Sequence, residues 1–123
     1  MMNFPDYLDI LKDESKVNLV RLVRDRALDD WRTDGKEFQV RPVLGKYEHE
    51  ILLKKKLIEE VFEVIHADFL GLPGEIADAV AVLKGIANFN NIDWELVIQN
   101  VAEKEFKTGP FNEGMVWDRT IEK

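Results

Sequence analysis

The sequence predicts an all-α protein, an antiparallel helical bundle whose core is completed by dimerisation. Residues 47–67 and 73–89 carry apolar side chains at helical spacing, which is typical of helices that pack one side into a core. A third segment, through about residue 107, follows Asp93, a residue type that favours helix N-termini. The 123 residues suffice for one domain, 1–123, because no repeat, low-complexity tract or linker divides them.

Shorter elements precede the long helices. Residues 5–14 are predicted to form a short helix, and a second short helix is predicted to end near Arg32. Asp34 and Gly35 then indicate a turn. Residues 36–45 are expected to be extended or looped, because Pro42 interrupts any helix there.

The second long helix is the most apolar segment of the chain. It follows the break at 71–74 and runs from about Pro73 to Phe89, before Asn90 and Asn91. Its narrow polar stripe predicts a helix buried on most sides. Since three long helices cannot easily surround it, a partner chain is expected to complete a four-helix core, as a homodimer or a dimer of dimers.

The end of the chain gives weaker signals. Gly109 is expected just beyond the third helix. Residues 108–123 are predicted to form a loop with a short strand around 115–117.

Composition excludes several function classes. The net charge of −7 and the pI near 4.9 argue against binding to a nucleic-acid polymer or to an anionic membrane. No apolar run approaches the roughly 18 residues of a membrane span, and the acidic N-terminus does not resemble a signal peptide. Without cysteine, disulfides and thiolate chemistry are excluded. The expected location is the cytoplasm.

Five carboxylates in two clusters are the chemical signature of the sequence: Glu59, Glu60 and Glu63, then Glu75 and Asp78. Within each cluster the acids are spaced so that they share one side of a helix. Acids at helix starts favour the helix dipole and Glu-rich stretches are often solvated, but Asp78 is in line with apolar residues. An acid directed at a core needs a cation, and an all-oxygen site suits Mg²⁺, with Mn²⁺ as a substitute.

The motif Lys56-Leu57-x-Glu59-Glu60-x-x-Glu63, followed by Glu75-x-x-Asp78, resembles the metal signature of a known superfamily. That superfamily comprises the all-α nucleoside triphosphate pyrophosphohydrolases, or MazG-like proteins, to which phosphoribosyl-ATP pyrophosphohydrolase is related. The segments 22–26 (LVRDR), 34–36 (DGK), 103–104 (EK) and 109–111 (GPF) are similar to flanking motifs of a MazG-like subset, so that the resemblance covers about residues 17–117. Ala27, Thr108 and Pro110 depart from that subset.

The resemblance implies a fold, a reaction and a set of site residues. The fold is a MazG-like bundle, and the reaction is Mg²⁺-dependent hydrolysis of an NTP or dNTP to the monophosphate and pyrophosphate, as in the removal of unwanted nucleotides. The implied metal ligands are Glu60, Glu63, Glu75 and Asp78. Glu59 is a further ligand or the group that orients the attacking water, so that Glu59 and Glu60 are the candidate catalytic residues.

Candidate substrate contacts are basic or amide side chains, and each has a structural alternative. Lys56 is placed to meet a phosphate or to pair with Glu60, and Arg24 is either a contact or a surface residue. On the third helix, Asn100 and Lys104 suit a phosphate or sugar contact. Lys107 assists them or complements the helix dipole. Phe111 and Trp117 either stack on a base or pack in the core.

Three other interpretations are open. One is hydrolysis of phosphoribosyl-ATP, and another is a non-catalytic acidic helical interaction module. A di-iron carboxylate bundle is a third, because Glu63-Val64-Ile65-His66 is a Glu-x-x-His motif. Such bundles use the motif twice, whereas the second cluster here ends in Asp78 and His49 follows Lys46, so His66 is expected to be peripheral.

Overall fold

A computed structural model of the chain describes residues 20–27 and 40–121. It contains three helices, α1 (Lys46–His66), α2 (Leu72–Phe89) and α3 (Trp94–Thr108), and no strand within those ranges. The all-α class is therefore confirmed for the described part of the chain. The helix predicted over 5–14 and most of the one predicted to end near Arg32 lie outside the described residues.

Helices α1 and α2 pack against each other in an antiparallel register. The ring of His49 lies 4.9 Å from that of Phe89, and further along α1 Leu53 contacts Gly85. Further still, a carboxylate oxygen of Glu60 lies within 4.8 Å of one from Asp78. As residue numbers rise along α1, the numbers of their contact partners on α2 fall, as expected of antiparallel helices. We call this line of contacts the α1–α2 seam.

The apolar part of the seam depends on close approach at one glycine. A Cβ atom added to Gly85 would lie 3.3 Å from the Cδ2 atom of Leu53, which is tighter than an ordinary van der Waals contact. Leu53 and its neighbour Leu52 are buried, as is Ala87 on α2. The absence of a side chain at Gly85 thus lets α2 lie close to the buried leucines of α1.

The turn between α2 and α3 is set by local hydrogen bonds. The amide of Ile92 donates to the carbonyl of Ala87 at 2.8 Å, and the amide of Asn91 donates to the carbonyl of Asn88 at 3.1 Å. This pair of bonds is the Schellman motif, in which Asn91 takes the left-handed conformation (φ 57°) that asparagine tolerates. The predicted end of α2 at Asn90 and Asn91 is confirmed.

Side-chain hydrogen bonds lie at the starts of α3 and α1. Asp93 accepts a hydrogen bond from the amide of Glu95 at 3.0 Å, which confirms it as the N-cap of α3. At the start of α1, Glu48 accepts two hydrogen bonds from Arg41 and one from the amide of Leu44. The Arg41 and Leu44 bonds lower the pKa of Glu48. They attach residues 40–45, which contain no helix or strand, to the first turn of α1.

The last described residues do not form the predicted strand. Residues 115–117 contain no strand, and all three side chains are exposed. A strand needs a neighbouring strand to satisfy its backbone groups, and the described part of the chain offers none. Instead, the ring of Trp117 lies 4.8 Å from the guanidinium carbon of Arg119. The prediction of a strand here was wrong.

The apolar surface of α2 is also more exposed than its sequence predicts. In this chain Ile76 is 47% exposed, Val80 39% and Leu83 41%, and only Ala87 is buried on α2. Among the described helices, α1 covers one side of α2, α3 contacts α2 only slightly, and no Cα atom of α3 lies within 8 Å of one from α1. The described residues therefore do not bury α2 on most sides. None of the described helices combines the length and the apolar character that a membrane crossing demands.

Gly85→Val is expected to lower the free energy of unfolding by about 1–3 kcal/mol, because the new side chain must displace Leu53 in a packed seam. Gly74→Ala is the matched control, since an added Cβ atom there meets nothing within 4 Å. That variant is expected to be neutral or to stabilise α2 by less than about 1 kcal/mol through higher helix propensity. Urea denaturation followed by circular dichroism measures both. An unchanged stability of Gly85→Val would contradict the close approach at the seam.

Candidate metal centre

Three carboxylates from two helices meet in the seam. Glu60 on α1 and Glu75 and Asp78 on α2 each place one oxygen within 4.8 Å of the others. We call these residues the acidic triad. Glu60 lies two helical turns beyond Leu53, and Asp78 lies two turns before Gly85, so the same register that packs the apolar contacts also joins the acids.

The donor set of the acidic triad fits a hard divalent cation. All three donors are carboxylate oxygens, which Mg²⁺ and Mn²⁺ prefer over the softer ligands of zinc or copper sites. Glu60 is buried, with only 9% of its surface exposed, whereas Glu75 and Asp78 are partly exposed. A cation held there would have protein ligands on its inner side and would keep open positions toward solvent.

The electrostatics of Glu75 agree with this arrangement. Partial burial raises the pKa of Glu75, and the negative charges of Glu63, Asp78 and Glu60 raise it further. Like charges at this distance disfavour one another's ionised form, and a divalent cation would reverse that effect.

Glu63, the fourth predicted ligand, is exposed and is not part of the acidic triad. It lies almost one turn after Glu60, on the solvent side of the seam. It is nevertheless close enough to contribute to the raised pKa of Glu75. Its role as a metal ligand stays a prediction.

Glu59 is not part of the acidic triad and pairs with two cations. Its Oε2 atom lies 3.4 Å from Nζ of Lys56 and 3.5 Å from Nε of Arg21. This oxygen is buried and accepts no hydrogen bond within the described part of the chain. Nζ of Lys56 also lies 3.5 Å from Oε1 of Glu60, so the predicted ion pair between these two residues is present.

Arg24 lies at the triad itself. Its Nη2 atom donates a hydrogen bond to Oδ1 of Asp78 at 2.7 Å. The Asp78 side chain is 45% exposed, so the prediction that it points into the core was wrong for the single chain. Within the described part of the chain, Asp78 therefore pairs with an arginine and stays partly exposed.

Sequence reasoning missed one buried cation beside the site. Lys55 is 5% exposed, and its ammonium group donates a hydrogen bond to the carbonyl of Val20. Burial lowers the pKa of Lys55, and the charges of Arg21 and Lys56 lower it further against the opposing effect of Glu59. The available signal was its position three residues after Leu52, on the buried side of α1.

The predicted contacts on α3 are not brought to the triad by this chain. Asn100, Lys104 and Lys107 are exposed, and no Cα atom of α3 lies within 8 Å of one from α1. Phe111 and Trp117 are also exposed, so neither packs in a core of the described chain.

Histidine takes no part in the acidic cluster among the described residues. His66 is exposed at the end of α1, as expected of a peripheral residue, and stacks on Phe62 with a ring separation of 6.4 Å. Comparison of the chain with protein-family models, curated proteins and solved structures gave no match. Function is therefore inferred from the acidic triad and from the sequence motifs.

Glu75→Gln is expected to raise the melting temperature at about pH 7 in the presence of a chelator. The pKa of Glu75 is raised on folding, so the folded state binds its proton more tightly than the unfolded state does, and stability falls as pH rises through the range above the ordinary carboxyl pKa. The stabilising effect of glutamine should therefore shrink toward about pH 3.5, where the carboxyl is protonated in both states.

Glu103→Gln is the control for this measurement, because it removes the same charge from an exposed position on α3. It is expected to leave the melting temperature nearly unchanged at both pH values. A lower melting temperature of Glu75→Gln at neutral pH would contradict the mutual repulsion of the clustered acids.

Proposed function

We propose that the protein is a cytoplasmic, Mg²⁺-dependent nucleoside triphosphate pyrophosphohydrolase. The observation that carries this proposal is the meeting of three carboxylate oxygens from α1 and α2 in the acidic triad. The similarity of residues 56–63 to the MazG-like metal signature supports it, since the acids of that motif include Glu60.

In this proposal Glu60, Glu75 and Asp78 hold the metal, and Glu63 completes the ligand set from the solvent side. When bound, Mg²⁺ or Mn²⁺ supplies positive charge for the phosphate oxygens and lowers the pKa of a coordinated water. The buried carboxylate of Glu60 is the fixed part of the site, because Leu53 and Gly85 set the register that positions it.

The remaining groups act on water and on phosphate. In this proposal Glu59, the other carboxylate beside Glu60, orients the attacking water, because its Oε2 atom accepts no hydrogen bond from the described residues and keeps its acceptor capacity. As the water oxygen bonds to the α-phosphorus, the bond to the α–β bridging oxygen breaks and a carboxylate accepts the water's proton. Lys56 and Arg24, which pair with Glu60 and Asp78, attract the leaving pyrophosphate.

A second copy of the chain completes the proposed enzyme. Apolar residues remain exposed on both α2 and α3, Leu83 and Leu96 among them, and a homodimer or a dimer of dimers would bury them. In the same assembly, Asn100, Lys104 and Lys107 are proposed to reach the nucleotide across the subunit interface, because α3 does not contact α1 within one chain.

One observation favours the non-catalytic alternative. Arg24 and Lys56 already pair with acids of the two clusters, which gives those acids a structural role in an interaction module. The di-iron alternative lacks support, since no histidine joins the triad in the described residues. Phosphoribosyl-ATP hydrolysis needs the same metal site and is separated from the first proposal only by its substrate.

Pyrophosphate release tests the proposal. The protein is expected to release pyrophosphate from at least one member of a panel of canonical and modified NTPs and dNTPs and phosphoribosyl-ATP, with Mg²⁺ and not with EDTA. Asp78→Asn is expected to lower kcat/KM by about 100-fold or more, because it removes a charged metal ligand. The matched control is Asp118→Asn in the exposed tail, which should retain activity.

The outcomes separate the alternatives. Release from phosphoribosyl-ATP alone would assign that substrate. No release from any member of the panel, with either Mg²⁺ or Mn²⁺, would favour the interaction module. Equal activity of Asp78→Asn and the wild type would remove the triad from the reaction.

A further inference from the structure

A short basic segment runs from the side of α1 to the acidic triad. It comprises residues 20–27, and we call it the basic strap. Three of its residues contact the two helices in sequence order: Val20 contacts Lys55, Arg21 contacts Glu59, and Arg24 contacts Asp78. The strap thus bridges α1 and the start of α2 across the seam.

The upstream half of the strap is anchored independently of the triad. Lys55 as a residue is 5% exposed, and its ammonium group donates a hydrogen bond to the carbonyl of Val20. A buried ammonium group needs such a partner, because leaving it unpaired is costly. Arg21 adds an ion pair with Glu59 at 3.5 Å. The position of the strap therefore does not depend on what Asp78 binds.

The contact between Arg24 and Asp78, at the downstream half of the strap, is exposed to solvent. The Arg24 side chain is 65% exposed, and within the described part of the chain its guanidinium bonds to Asp78 alone. Exposed ion pairs are weak, so a stronger cation can replace this one without disturbing the fold. A guanidinium also binds phosphate oxygens in the fork geometry that carboxylates accept.

We propose that Arg24 is a displaceable counter-ion of the acidic triad. It neutralises Asp78 when no divalent cation is bound, and a cation that binds the triad releases it toward the triphosphate. Lys55 is a positioning residue in this device, since it fixes the strap on which Arg24 is carried. The inference rests on the proposed function, because it assumes that the triad holds a divalent cation.

Removal of the Arg24 charge is expected to have opposite effects on metal binding and on nucleotide binding. Removing the Arg24 charge frees Asp78 and removes a repulsive neighbour of the cation, so metal binding without nucleotide should become tighter. The same change removes a phosphate contact, so nucleotide binding in the presence of metal should become weaker. If the Arg24–Asp78 pair were purely structural, removing the Arg24 charge would not tighten metal binding. If Arg24 were only a phosphate contact, the same change would leave metal binding unchanged.

Calorimetric titration of Mn²⁺ into the full-length protein, without nucleotide, is the test. Arg24→Gln is expected to bind Mn²⁺ about three- to tenfold more tightly than the wild type. Arg119→Gln is the matched control, since it removes the same charge from the exposed tail and should bind Mn²⁺ like the wild type. At saturating Mn²⁺, Arg24→Gln should bind a non-hydrolysable triphosphate analogue at least about threefold more weakly.

Lys55→Met provides a second variant that keeps the length of the side chain and removes the anchor. It should tighten Mn²⁺ binding in the same direction, and combining it with Arg24→Gln should add little, because both act through one contact. Circular dichroism verifies that each variant is folded.

The Mn²⁺ titration distinguishes the counter-ion role of Arg24 from the existence of the metal site. If the wild type binds Mn²⁺ and Arg24→Gln binds it equally or more weakly, the counter-ion role is overturned while the metal site stands. If neither protein binds Mn²⁺, the proposed function and this inference both fail.

Discussion

The antiparallel register of α1 and α2 is the constraint on which the rest of the structure depends. It is fixed where Gly85 lets α2 approach Leu53, and it places Glu60 against Asp78 two turns further along the same seam. A shift by one residue would rotate the acids away from each other along with the apolar contacts. Packing and the candidate chemistry are therefore consequences of one alignment.

Gathering acids at the end of an apolar seam has an electrostatic cost. The raised pKa of Glu75 reports that cost, which comes from partial burial and from three neighbouring carboxylates. The chain, with a net charge of −7, places several of its cations at this location. Arg24 pairs with Asp78, and Lys56 with Glu60. The Arg24–Asp78 pair is largely exposed and the Lys56–Glu60 pair is 3.5 Å apart, so they offset the repulsion only in part and leave the site able to attract a stronger cation.

Local signals in the sequence predicted the helices and the three acids of the triad. The bounds of α1, α2 and α3 came within about two residues, because periodic apolar residues, the Asp93 cap and the Asn90-Asn91 stop act over one turn. Helical spacing also selected Glu60, Glu75 and Asp78, since acids on one side of each helix can meet when the helices pair.

The features that the sequence did not reveal are contacts between distant residues. The bond from Arg24 to Asp78 and the anchor from Lys55 to Val20 join segments far apart in the chain, and no periodicity encodes them. The exposure of α2 depends on which elements cover it, which is equally non-local. The strand expected at 115–117 followed local composition and had no strand beside it.

The most direct test of the metal centre is anomalous diffraction from crystals of the protein grown with Mn²⁺. An anomalous peak is expected between the carboxylates of Glu60, Glu75 and Asp78. A well-ordered triad with no anomalous peak, or a peak held by other residues, would show that the α1–α2 seam does not build a divalent-cation site.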